Sequence, residues 1–170
     1  TQASRPNFKA VPLKQKASIQ LTNRIESSKS NNVMATIPGS KRPDEHIIYM
    51  AHWDHMGTVM QNGVAQIYNG AHDNATGTVG LLAIAKAFQT LPTPPERSIT
   101  LIGVTAEEQG RLGSRYFANH PTMPLNQIVG LINMDSLNIT GRKSDVRVVG
   151  FGRSGLEAFL AQAAARQHRT

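Results

Sequence analysis

The sequence predicts an α/β fold: a mixed, mostly parallel sheet with helices on both faces. Three observations carry that prediction. Short apolar runs of strand length alternate with segments whose apolar residues recur at helical spacing. The central runs are apolar throughout, as in strands covered on both faces. Near the start, a period-two alternation adds an antiparallel hairpin and so makes the sheet mixed.

The elements follow in order. Residues 1–16 read as an irregular lead-in, polar and punctuated by prolines. From Ser18 to Glu26 the alternation places Ile19, Leu21 and Ile25 on one face, which predicts a half-buried strand. Ser27 to Asn32 is a polar turn. Val33 to Ile37 is a second strand, closed by Pro38-Gly39, and the two strands are expected to pair as a hairpin. Lys41 to Glu45 reads as a charged turn, and Ile47 to Ala51 as a buried strand. Thr76 to Gln89 is helical, with Leu81, Ile84, Ala85 and Phe88 on one face. Leu91 to Glu96 is a Pro-rich loop, followed by an apolar strand from Ser98 to Thr105. A short helix from Leu112 to His120 stops at Pro121. Strands are expected at Ile128–Met134 and Val146–Val149. A last helix runs from Ser154 to about Gln167, with Leu156, Phe159, Leu160, Ala163 and Ala164 as its apolar stripe.

Composition narrows the function classes. The 170 residues suit a single domain. No apolar run approaches the ~20 residues needed to span a bilayer, and the polar start does not read as a signal peptide. The chain has no cysteine, which excludes disulfides and thiolate metal sites and fits either an exported or a cytosolic protein. A net charge of +7 raises the question of nucleic acid. The basic residues are scattered, however, with no basic helix face or aromatic-interleaved stripe, so no nucleic-acid partner is expected. The acidic residues are more informative. There are only 11, and Asp54, Asp73, Glu107, Glu108 and Asp135 fall in apolar or Gly-rich contexts, where an unpaired charge is costly.

Those five lie in four segments, each at a strand end or a strand-to-helix loop, where ligand sites of open α/β sheets gather. In His52-Trp53-Asp54, the imidazole can bind a metal while Asp54 accepts a hydrogen bond from its other nitrogen; a loop His beside a turn Asp is the plainer alternative. In Asp73-Asn74-Ala75-Thr76-Gly77, a carboxylate leads into a helix start, and either Asp73 or Asn74 can serve as an N-cap instead. In Thr105-Ala106-Glu107-Glu108-Gln109-Gly110, adjacent carboxylates need a cation or a raised pKa to coexist in a partly buried place; Thr105 to Glu108 also matches a capping box. Asn133-Met134-Asp135 ends an apolar strand with a candidate ligand, or a turn Asp. Taken together, one His, three ligating carboxylates and a spare Glu suit zinc, with manganese or cobalt as alternatives. His-Glu-x-x-His does not occur, which excludes a zincin.

In order and spacing, these motifs resemble the M28 family of co-catalytic zinc peptidases, from about residue 30 to the end. The resemblance implies two zinc ions bridged by Asp73. His52 and Asp135 would complete one metal and Glu108 would serve the other. Glu107 would be the general base and Asp54 would orient His52. It also allows a cis Asp73-Asn74 peptide. The implied activity is hydrolysis of peptide bonds at a chain terminus, as an aminopeptidase, by a water held between the two zinc ions; the expected partner is a peptide substrate and the expected location outside the cytoplasm. A glutaminyl-cyclase-like acyltransferase and a catalytically inactive binding relative are the alternatives. The family's fifth ligand is a later His. The only His after Asp135 is His168, in a basic helical tail, and we do not assign it that role. The expectation is therefore a partial catalytic domain, with an incomplete sheet whose exposed edge could favour self-association.

Three further features are set aside. His55 and His72 sit beside the motifs and are read as pocket neighbours rather than ligands. Gly150-Phe151-Gly152-Arg153-Ser154-Gly155 matches a dinucleotide fingerprint, but no acidic residue follows at the required distance, and Ser154 to Glu157 forms a capping box.

Overall fold

A computed structural model describes residues 4–170. Its main sheet has four strands: β1 (Val33–Ile37), β2 (Arg42–His52), β5 (Arg97–Val104) and β6 (Ile128–Asn133), in the order β1-β5-β2-β6. β2 pairs in parallel with β5 and with β6, and β1 joins β5 antiparallel. A separate hairpin, β3 (Gly57–Gln61) and β4 (Val64–Tyr68), follows β2. The helices are α1 (Ala75–Gln89), α2 (Leu112–Asn119) and α3 (Leu156–Arg166).

Both faces of β2 and β5 are covered, with side chains alternating between them along each strand. On one face Ile48 and Met50 of β2 and Ile102 and Val104 of β5 pack with Phe117 of α2. On the other, Ala51 and Leu101 pack with Leu81 of α1, flanked by Tyr49, Ile84 and Met134. Continuous apolar runs are the consequence, and they made these strands legible. No helix among the described residues is long and apolar enough to cross a membrane.

Four expectations are corrected. Ser18 to Glu26 forms no strand, and Ile19, Leu21 and Ile25 are 78, 75 and 92% exposed. An alternating pattern specifies a strand only where a partner offers hydrogen bonds, and none does so here. The expected hairpin is therefore absent, and β1 takes β5 as its partner, with Val33 opposite Gly103. Lys41 to Glu45 is not a free turn: β2 begins at Arg42, with Arg42 opposite Arg97 and a register shift before His46. Ion pairs of Lys41 and Arg42 with Glu96, each at 2.7 Å, and of Arg97 with Glu45 hold these charges beside one another. Val146 to Val149 is not a strand; Val146 N–H donates to Thr170 O at 2.9 Å. The β3–β4 hairpin went unread although Asn62-Gly63 marks it. Both residues have positive φ, 53° and 78°, as a two-residue hairpin turn requires.

Candidate metal centre

Strand register gathers the site. His52 ends β2 opposite Val104, the last residue of β5, and Met50 lies opposite Asn133, the last of β6. All three parallel strands therefore end at about one level. The loops carrying Asp54, Glu107-Glu108 and Asp135 meet over β2, with β5 on one side and β6 on the other. Such a switch point is where open α/β sheets bind ligands.

The fourth segment enters from the start of α1. Asn74, 2% exposed, is the N-cap. Its Oδ1 accepts from Gly77 N–H (3.0 Å) and Ser136 N–H (3.1 Å), and its Nδ2 donates to Met134 O (3.0 Å). The cap role thus falls to Asn74, which leaves the Asp73 carboxylate free to face His52. The same bonds tie the head of α1 to the segment after β6, so Asp73 and Asp135 stand in a set relation. The sequence offers either Asp73 or Asn74 as a cap and gives no sign of this cross-link. The Asp73-Asn74 peptide is cis.

His52 is 2% exposed. Its Nδ1 donates to the Asp54 carbonyl at 2.9 Å. A carbonyl oxygen only accepts, so Nδ1 carries a hydrogen and Nε2 of the neutral ring presents a lone pair. That lone pair faces Asp73 Oδ1 at 3.0 Å and Asp135 Oδ1 at 3.6 Å. Burial opposes protonation of His52. The Asp54 carbonyl and the charges of Asp135, Asp73 and Glu107 outweigh it and hold the pKa above the usual value. A second cation at the same place would satisfy these oxygens equally well.

Asp54 does this work differently from the expectation. Its carboxylate lies 3.9 Å from His52 Nδ1, and Oδ2 instead accepts from Ala106 N–H at 2.6 Å. The main chain of Asp54 sets the imidazole; its side chain anchors the loop leading to Glu107.

The Glu107-Glu108 pair is not a helix cap. α2 begins at Leu112, and Thr105 Oγ1 is bonded to Ser30 Oγ at 2.7 Å. Glu108 Oε1 approaches His55 Nδ1 at 2.7 Å, so the structure places His55 within the cluster. His72 turns away, with Nε2 3.1 Å from Leu137 O. Three donor sets result: His52–Asp73–Asp135, His52–Glu107–Glu108 and His55–Asp73–Glu108, with donor atoms in each within 4.8 Å of one another. At that spacing two carboxylates repel by about 3–4 kcal/mol at an effective dielectric of ~20. Asp73 Oδ1, His55 Nδ1 and Glu108 Oε1 are buried with no hydrogen-bond partner among the described residues. Imidazole and carboxylate donors, crowded and unsatisfied, fit a zinc ion. Beside them opens a cleft of about 400 Å³, lined by His52, Glu107 and Asp135 and floored by Phe117 and Leu131.

The fingerprint at Gly150 to Gly155 serves α3 alone. Main-chain N–H groups of Gly152, Arg153 and Ser154 donate to the Glu157 carboxylate. Those bonds hold its pKa below the usual carboxylate value and occupy the donors a phosphate would need.

Fold and site together define an α/β protein with a histidine–carboxylate metal centre at the carboxyl ends of parallel strands. The chain belongs to peptidase family M28, whose sequence model matches residues 32–170. It is 31% identical over 118 residues to a probable zinc metalloprotease of Pyricularia oryzae, covering 69% of this chain and 23% of that protein. It is 32% identical over 131 residues to the aminopeptidase NAALADL1 of Mus musculus, covering 74% of this chain and 16% of that one. Its fold matches the crystal structure of a peptidase M28 precursor from Shewanella amazonensis SB2B with a TM-score of 0.57, at 28% identity, over 80% of this chain and 28% of the other. The chain thus spans between 16 and 28% of the length of these relatives.

Proposed function

We propose that this chain carries the core of a zinc-dependent exopeptidase site and that the protein acts as an aminopeptidase. The observation that carries the reading is the placement of His52 Nε2, 3.0 Å from Asp73 Oδ1 and 3.6 Å from Asp135 Oδ1, in a ring whose Nδ1 is bonded to the Asp54 carbonyl. His52, Asp73 and Asp135 would hold one zinc, and Asp73 with Glu108 would serve a second. Zinc bound there would supply Lewis acidity toward the scissile carbonyl and lower the pKa of the attacking water. Glu107 stands beside His52 and Glu108 on the cleft wall. It takes the proton from that water and returns it to the leaving amine. Asn74 and the Asp54 main chain keep Asp73 and His52 in place while this happens. The peptide terminus lies along the cleft, with an apolar side chain against Phe117 and Leu131.

The test is Glu107→Gln in the intact protein. We expect turnover of an N-terminal aminoacyl anilide to fall by roughly 10²- to 10⁴-fold, as for loss of a general base, with zinc content unchanged. Near-normal turnover would overturn the role of Glu107. An N-acetylated substrate should resist cleavage, and equal hydrolysis of the blocked and free forms would rule out aminopeptidase action.

A further inference from the structure

The cleft beside the cluster holds a charge that the roles above do not use. Among the described residues that line it, Arg111 is the one Lys or Arg. Its guanidinium has no ion pair and no hydrogen bond among the described residues, although Glu107 and Asp135 line the same cleft.

Locally, this is a poor place for an arginine. Arg111 is the N-cap of α2, with φ 59°, ψ 39° and no side-chain cap bond. N-caps favour Ser, Thr, Asp or Asn. The left-handed region disfavours side chains with a Cβ, and a cation at the head of a helix opposes its dipole. No bond from the side chain to the described residues offsets these costs, so the helix does not account for the residue. A negatively charged ligand in the cleft does.

The position is firmly held. The N–H groups of Arg111, Leu112 and Gly113 donate to Glu107 O, Ala106 O and Thr105 O at 2.6, 2.9 and 2.9 Å. A Cβ on Gly113 would lie 2.3 Å from Thr105 O, so only glycine lets α2 start this close to the end of β5. The head of α2 is thereby folded back onto the loop of Glu107. In the reading above Glu107 returns its proton to the leaving amine, so the departing part of the peptide lies against it, on the side of Arg111.

We propose that Arg111 is a specificity-determining residue whose guanidinium binds a carboxylate on the departing part of the peptide. The proposal rests on the exopeptidase reading. Two groups present that chemistry: the free C-terminus of a dipeptide and an acidic side chain just after the scissile bond. Either offers two oxygens to the paired N–H donors of the guanidinium.

Three substrates that share an N-terminal leucine test it on the intact, zinc-loaded protein: leucyl-alanine, leucyl-alaninamide and the α-amide of leucyl-glutamate. We expect kcat/KM to be roughly tenfold higher for at least one of the carboxylate-bearing substrates than for leucyl-alaninamide. Arg111→Gln should bring that ratio close to one. Arg111→Lys, which keeps the charge without the planar fork, should retain part of it. A ratio carried by leucyl-alanine assigns the carboxylate to the substrate's C-terminus, and one carried by the glutamate amide assigns it to the side chain. A merely structural role would lower all three values together and leave the ratio as in wild type. Equal kcat/KM for all three in wild type, or a ratio that Arg111→Gln leaves intact, would overturn the role of Arg111 and leave the exopeptidase reading standing. No hydrolysis of any of them by the wild-type protein would overturn both.

Discussion

At the scale of single residues, the site depends on which atom of a residue acts. Asp54 stands beside His52, and its carbonyl sets the imidazole while its carboxylate takes the Ala106 N–H. Replacement by Ala keeps the first bond and removes the second. It leaves a part-buried N–H unpaired, which costs about 1–3 kcal/mol. Asp54→Asn retains an accepting oxygen and should recover most of that loss. Urea unfolding of the zinc-free chain measures both variants; an Asp54→Ala chain as stable as wild type would show that the Ala106 bond contributes nothing. The sequence singles out Asp54, because His-x-Asp at a strand end is a recognisable pattern, and the fold sets its carbonyl against His52. That pattern could not reveal the division of labour between main chain and side chain, which depends on the path of the Glu107 loop across β2.

Among the elements, α1 shows a conflict between local preference and packing. Gly77 lies in the first turn of this helix, where Ala is intrinsically better by about 1 kcal/mol. A Cβ on Gly77 would lie 2.6 Å from Asn74 Oδ1 and 2.7 Å from Met134 O. The second contact is with backbone, which cannot step aside, and the first is with the cap itself. Overpacking of this kind costs about 1–3 kcal/mol, and displacing Asn74 adds the loss of its bonds to Ser136 and Met134. Gly77→Ala is therefore expected to destabilise despite its better helix propensity, with a lower urea midpoint and weaker zinc retention. An unchanged or raised midpoint would show that the segment after β6 yields. The helix itself was plain from its apolar spacing. The tight seat of Gly77 was not, because Met134 O, which crowds it and holds the Asn74 side chain beside it, comes from a distant part of the chain.

For the whole molecule, the sheet decides which apolar residues count. Ile102 is fully buried on the α2 face and Ile25 is 92% exposed. Ile102→Ala should cost about 2–5 kcal/mol, whereas Ile25→Ser should stay within about 0.5 kcal/mol of wild type. Thermal or urea unfolding separates the two readily; a comparable loss at Ile25 would mean that the segment before β1 is packed after all. Pattern alone places both residues in strands. Only one of them found strands on either side.

The sequence by itself determined the α/β class, the central strands β2, β5 and β6 and the helix α1, and it singled out His52, Asp73, Glu107, Glu108 and Asp135, which the fold brings near one another. All of these depend on local signals: unbroken apolar runs, helical periodicity, and His and carboxylate side chains at strand ends. Tertiary structure alone decided the partner of β1, the absence of a strand at Ser18 to Glu26, and the approach of His55 to Glu108 at 2.7 Å. Strand pairing and donor convergence join residues dozens of positions apart. Their outcome depends on which surfaces the folded chain leaves available, and no window of sequence contains that information.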